Sequence, residues 1–100
     1  MADVRVRVRN ASSTDFESVR MTLPENGEHE LGPVPAAGRS AFVAARRAYR
    51  YAGFRVRAGV RDLLLQPIDY VGEQPLAPGD YDYVLDVDNG RLTVVLARVD

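Results

Sequence analysis

The chain has no cysteine, no lysine, no tryptophan and a single histidine among its 100 residues. Without cysteine there is no disulfide, no thiol nucleophile and no thiolate metal site. That excludes the disulfide-stapled secreted class and fits any compartment. One histidine, His29, cannot build a metal triad or a Ser-His pair without a positioned partner. Its His29-Glu30-Leu31 context also lacks the second histidine of a zinc-protease helix, so it reads as an exposed loop residue. No apolar run approaches the roughly 18 residues needed to span a bilayer as a helix. No signal peptide is visible, because Met1-Ala2-Asp3 leads straight into a strand pattern. If the natural protein is exported, its leader is expected to lie outside this sequence. Charge of one sign is not in excess either. Thirteen basic and fourteen acidic side chains leave a net charge of −1, which argues against a dedicated nucleic-acid binder. All thirteen basic residues are arginine, in keeping with a high-GC coding bias and with arginine's planar fork for carboxylates.

What is present is period-2 alternation. Asp80 to Val99, DYDYVLDVDNGRLTVVLARV, contains two alternating runs around Asn89-Gly90. That dipeptide suits a two-residue type I′ turn, in which both central residues need φ > 0. Pairing Asp88 with Arg91 puts Tyr83, Leu85, Val87, Leu92, Val94 and Leu96 on one face. The other face receives Asp82, Val84, Asp86, Asp88, Arg91, Thr93 and Val95. Val4 to Arg9, VRVRVR, alternates strictly, with valines in and arginines out. Phe16 to Leu23 slips phase between Phe16 and Val19, which predicts a bulge near Glu17-Ser18. His29 to Val34 reads as a short strand closed by prolines. Residues 40–52 fit a strand from Ser40 to Ala44 followed by a turn-like passage through Tyr49, with a helix capped by Ser40 as the competing reading. Phe54 to Val60 alternates with Phe54, Val56, Ala58 and Val60 inward, and Arg61-Asp62 reads as a tight turn. Leu63 to Tyr70 is a further strand, with Pro67 marking an edge or a bulge. Asn10 to Asp15, Pro24 to Glu28 and Val71 to Gly79 read as connections.

Seven or eight short strands with turn signals between them make an all-β antiparallel two-sheet sandwich in one domain over residues 1–100. The expected core is Val4, Val6, Val8, Val19, Met21, Phe42, Val56, Leu64, Tyr83, Leu85, Val87, Leu92, Val94 and Leu96. In such a sandwich the penultimate strand is expected beside Phe54 to Val60, and the last strand beside the first.

Two stretches, VRNASSTDFESVRMTL with LGPVPAAGRSAF, and LQPIDYVGEQPLAPGDYDYVLDVDNGRLTVVL, carry a family resemblance. The chain resembles the immunoglobulin-like or transthyretin-like sandwich domains of uncharacterised bacterial envelope proteins. The motifs that match are Asn10-Ala11-Ser12 at the end of the first strand and the turn Pro78-Gly79-Asp80-Tyr81. They are turn chemistry. The resemblance implies fold and a bacterial envelope or periplasmic setting, and it brings no catalytic residues.

No residue set names a reaction, a cofactor or a metal. Asp86-Val87-Asp88-Asn89-Gly90 lacks the ligand spacing and the downstream glutamate of a calcium loop. Asn10-Ala11-Ser12 is a formal glycosylation sequon, read here as a turn. The arginine stripes Arg5, Arg7, Arg9 and Arg55, Arg57 should form cross-strand ladders with Asp82, Asp86 and Asp88, each pair worth about 0.2–1 kcal/mol. An anion-binding face would instead require arginines without carboxylate partners. Outward Val84 and Val95, with Val99 beyond, make an apolar strip of the kind that marks a contact with another chain. The edge strands of a sandwich invite strand addition. The expected role is therefore a non-enzymatic interaction or accessory module, with a protein partner or a second copy of itself. The competing role is a carbohydrate-binding module using Tyr49, Tyr51 and Tyr70 as an aromatic shelf.

Overall fold

In the computed structural model, which describes residues 4–23, 27–66 and 74–99, alternation becomes eight strands and no helix. These are β1 (Val4–Asn10), β2 (Phe16–Leu23), β3 (Gly27–Val34), β4 (Val43–Ala45), β5 (Gly53–Ala58), β6 (Arg61–Leu65), β7 (Gly79–Asp88) and β8 (Arg91–Val99). They form two four-stranded sheets, ordered β4-β1-β7-β8 and β3-β2-β5-β6. The inner faces share one apolar core, and the arrangement is β-sandwich-like. Phe54 of one sheet and Tyr83 of the other meet edge to face, with centroids 5.3 Å apart at 68°. Both rings are buried, and fully burying a side chain of this size contributes roughly 1.5–3 kcal/mol. The Tyr83 hydroxyl donates to the Tyr49 carbonyl at 2.6 Å, so the ring is buried without stranding its polar tip.

Local turn chemistry sets the hairpins. Asp88 pairs with Arg91, and Asn89 (φ 52°) and Gly90 (φ 76°) take the two left-handed positions of a type I′ turn. The β2–β3 register shifts between Phe16 and Val19, as the phase slip requires. β3 extends the expected His29–Val34 strand back to Gly27. It keeps Pro33 because it is an edge strand with no second neighbour to need that N–H.

Several expectations are corrected. The sheets are not wholly antiparallel, since β1 pairs with β7 in parallel. The penultimate strand therefore lies beside the first strand and not beside β5, and the last strand, β8, is an edge. The tight turn is Gly59-Val60, with Gly59 at φ 65°, and Arg61 already belongs to β6. Val60 is consequently 94% exposed at the turn. Leu63, opposite Val56, faces inward, while Leu64, opposite Arg55, is 56% exposed. Phe42 leaves the core for the outer face, and Val87, Val94 and Leu96 are only partly buried at its margin. In residues 40–52 the strand is three residues long and begins at Val43; a bend at Arg46-Arg47 follows, with no helix. His29 sits within β3, half-buried, with Nε2 lacking a hydrogen-bond partner. Met1 to Asp3, Pro24 to Asn26, and the part of the Leu63–Tyr70 and Val71–Gly79 segments from 67 to 73 lie outside the described residues.

Candidate functional site

The outer face of the first sheet is built by the parallel register of β1 and β7. Arg5 lies opposite Asp80, Arg7 opposite Asp82 and Arg9 opposite Val84. Arg5 donates from Nε to Asp80 Oδ1 at 2.8 Å and from the guanidinium terminus to Oδ2 at 2.6 Å, a bidentate fork. That hydrogen bond, more than the charge attraction, holds the Asp80 carboxyl below its ordinary value. The same bond raises Arg5. Arg7 Nε donates to Asp82 Oδ1 at 2.6 Å. Both guanidinium groups stack over the Phe42 ring, at 4.7 and 4.3 Å from its centroid, so the ring covers the ladder and explains why Phe42 left the core. Asp82 is 4% exposed. The ladder is thus present in part: β1 supplies the arginines, Asp80 and Asp82 of β7 receive them, and among the described residues the expected Asp86 and Asp88 form no ion pair with the arginine stripes. Arg55 and Arg57 belong to the other sheet, where Arg57 meets Asp62 at 3.5 Å.

Beyond this ladder lies the predicted apolar strip. Val84 pairs with Val95, and Asp80 with Val99. Val95 is 65% exposed, and Val84 and Val99 are half-buried. β8 has nine residues and no proline, and it pairs only with β7 among the described residues. The other three edges are blunted in the usual ways. β4 has three residues, β6 has five with Arg61 and Asp62 at its start, and β3 carries Glu28, Glu30 and Pro33.

The tyrosines do not gather on one described surface. Tyr51, 43% exposed, lines a shallow cleft of about 250 Å³ with Ala52, Leu65, Gln66, Leu92, Thr93 and Val94. Tyr49 is half-buried, and its carbonyl anchors Tyr83. Tyr70 lies outside the described residues.

One polar residue carries more structure than the sequence suggested. Asn10 is fully buried. Its amide donates to the Thr14 and Val34 carbonyls at 2.8 and 3.0 Å, and its oxygen accepts from the Ser12 N–H and hydroxyl at 2.9 and 2.6 Å. The Asn-x-Ser spacing signals the Asx turn; the bond to Val34, 24 residues away, has no local signal. Among the described residues no group of three or more His, Asp or Glu side chains could hold a metal ion, and no helix is long and apolar enough to cross a membrane. At the hairpin tip, Asp86 Oδ1 accepts from its neighbour's N–H at 2.8 Å.

No family model matches the chain, and no curated protein matches it. Among solved structures it is similar to an NMR structure of a protein from Eubacterium rectale, with 11% identity, a TM-score of 0.69, and coverage of 99% of this chain and 92% of that one. At that identity the likeness is one of fold.

Proposed function

We propose that this chain is a non-enzymatic interaction module that pairs with a second copy of itself through the β8 edge. The observation that carries this reading is the contrast among edges. Among the described edges β8 alone is long and free of proline, and it is bordered on its outer face by Val84, Val95 and Val99. An antiparallel two-fold centred on Val95 would set Val95 against Val95, Thr93 against Ala97 and Arg91 against Val99. No like charges oppose in that register, and the apolar strip continues from one copy to the next. Such a contact is isologous and closes on itself. The test is sedimentation velocity across a hundredfold concentration range. A dimer is expected at the high end, and Val95→Lys, which places two lysines directly across the axis, should abolish it. Val95 is exposed, so the variant should fold. A wild-type chain that stays monomeric throughout would overturn the reading.

Within the sandwiches, the transthyretin-like form is the one we infer. The immunoglobulin constant arrangement keeps the first two strands in one sheet, whereas β1 and β2 here lie in different sheets. The bacterial envelope setting travels with that resemblance. A second reading, binding of neutral oligosaccharides, is favoured by the Tyr51 cleft. It predicts saturable shifts of Tyr51 and Thr93 resonances on titration with a neutral oligosaccharide panel, lost in Tyr51→Ala.

A further inference from the structure

The arginine ladder ends where its carboxylates do. Arg5 and Arg7 each face an aspartate, but the next step pairs Arg9 with Val84. On its other side Arg9 meets a second arginine, Arg39, in an isolated antiparallel bridge. The bonds flanking that bridge, Asn10 N–H to Gly38 O at 2.9 Å and Ser40 N–H to Val8 O at 2.8 Å, make it a non-hydrogen-bonded pair. In this geometry opposing Cα atoms lie about 4.5 Å apart and the side chains are at their closest. Like charges directly opposite are destabilising. Yet neither arginine has an ion-pair or hydrogen-bond partner through its side chain among the described residues.

The backbone around the pair is fixed. Asn10 is tied down by its four side-chain bonds, and its carbonyl accepts from Ala37 N–H at 2.9 Å. Ala37 holds φ at 65°, and Gly38 N–H closes the turn onto the Pro35 carbonyl at 2.8 Å. A Cβ at Gly38 would sit 2.9 Å from that same carbonyl oxygen, so the turn leaves room for no other residue. Between these walls is an open cleft of about 380 Å³, lined by Arg9, Asn10, Ala11, Ser12, Ala37 and Arg39, with no carboxylate in the lining among the described residues. Two guanidinium forks at one cleft on a rigid frame are the donor set that recognises an oxyanion bidentately.

We propose that the Arg9–Arg39 cleft binds a tetrahedral oxyanion of the phosphate type, one fork on each side of the ion. A dianion matches the two positive charges and presents oxygens to both forks, which a single carboxylate does less well. The site lies on the β4 side of the sheet, away from β8, and stands independently of the self-pairing reading.

The test is a titration of the full chain, labelled with 15N, with sodium phosphate, against sodium chloride at equal ionic strength. Saturable shifts are expected at the Arg9 and Arg39 side-chain Nε–Hε groups and at the Ala11, Ser12 and Ala37 amides. Arg9→Gln and Arg39→Gln should each weaken binding at least tenfold, while Arg57→Gln on the other sheet should leave it unchanged. Both target side chains are exposed, and removing one of two like charges should leave the urea midpoint equal or higher, so a loss of binding would not reflect unfolding. Methyl phosphate separates the sources. Tighter binding of the ester would support the proposal with an esterified ligand, and tighter binding of inorganic phosphate would support it with the free ion. Binding in either variant within twofold of wild type, or shifts reproduced by chloride alone, would overturn it.

Discussion

Both outer faces of the molecule set arginines opposite carboxylates, and they do so in different surroundings. On the first sheet Arg7 and Asp82 meet with side chains 19% and 6% exposed, beneath the Phe42 ring, while the neighbouring Arg5 and Asp80 stay 51% and 32% exposed. On the second, Arg57 and Asp62 meet at 3.5 Å with side chains 51% and 68% exposed, and Arg20 and Glu30 are similarly open. The residue types and the cross-strand logic are the same. What differs is how much water remains to screen them. A pair that has surrendered its hydration holds each partner hostage, because losing one leaves the other uncompensated. A hydrated pair does not, and exposed pairs typically contribute well under 1 kcal/mol.

Substitutions can break that contrast in order of effect. Arg7→Ala strands the Asp82 carboxylate and is expected to lower stability by about 3 kcal/mol, read as the urea midpoint at constant slope. Arg7→Leu combined with Asp82→Leu should recover most of that loss, and a double-mutant cycle would separate the coupling from the cost of the stranded charge. If Arg7→Ala were neutral, the two faces would not differ as described. Phe42→Ala removes the cover and both cation–π contacts, for an expected loss of about 1–2 kcal/mol; the Arg7–Asp82 coupling measured in that background should fall toward the value of the exposed pairs. Arg5→Ala sharpens the comparison through pH. The folded state holds Asp80 below its unfolded value of about 3.9, so the stabilisation is full above that value and is lost as the pH falls through the lower folded one. Wild type and Arg5→Ala should therefore differ most in urea midpoint at neutral pH, and the gap should narrow as the pH falls through the lowered Asp80 value, down to what the Arg5 stacking on Phe42 contributes; a gap that did not narrow in acid would assign the whole effect to packing. Arg57→Ala, at the hydrated end, should change stability by less than about 0.5 kcal/mol.

How much of this was legible in the sequence follows from the range of each signal. Asn89-Gly90 with two alternating runs fixes the β7–β8 register, and Val84 opposite Val95 follows from that register alone. VRVRVR marks β1 and its two faces. The β1–β7 pairing was not legible, because its partners are 75 residues apart and a parallel pair has no connecting turn to announce it. The burial of Asp82 and the stacking of Phe42 depend on that pairing, and so does the end of the carboxylate ladder at Arg9. The β5–β6 turn was displaced because Val60 continues the alternation one step past Gly59 and three consecutive leucines offer no phase. Residues 40–52 mix alanine, arginine and tyrosine without a clean period, which is why the surroundings of Tyr49 and Tyr51 had to come from tertiary contacts.

The partnership of β1 with β7 also governs the order of assembly. During synthesis the first strand emerges long before β7, its longer pairing and the source of its carboxylates, and only the three-residue β4 can reach its other edge sooner. Non-local closure of this kind slows folding, and it leaves an idle, β-prone ribbon open to aggregation. Arg5, Arg7 and Arg9, interleaved with the valines, put a positive charge at every second position of that ribbon, the pattern by which gatekeeper charges oppose self-association of a β-prone segment. Arg5 and Arg7 thus belong both to that charge pattern and, once β7 is in place, to the ladder.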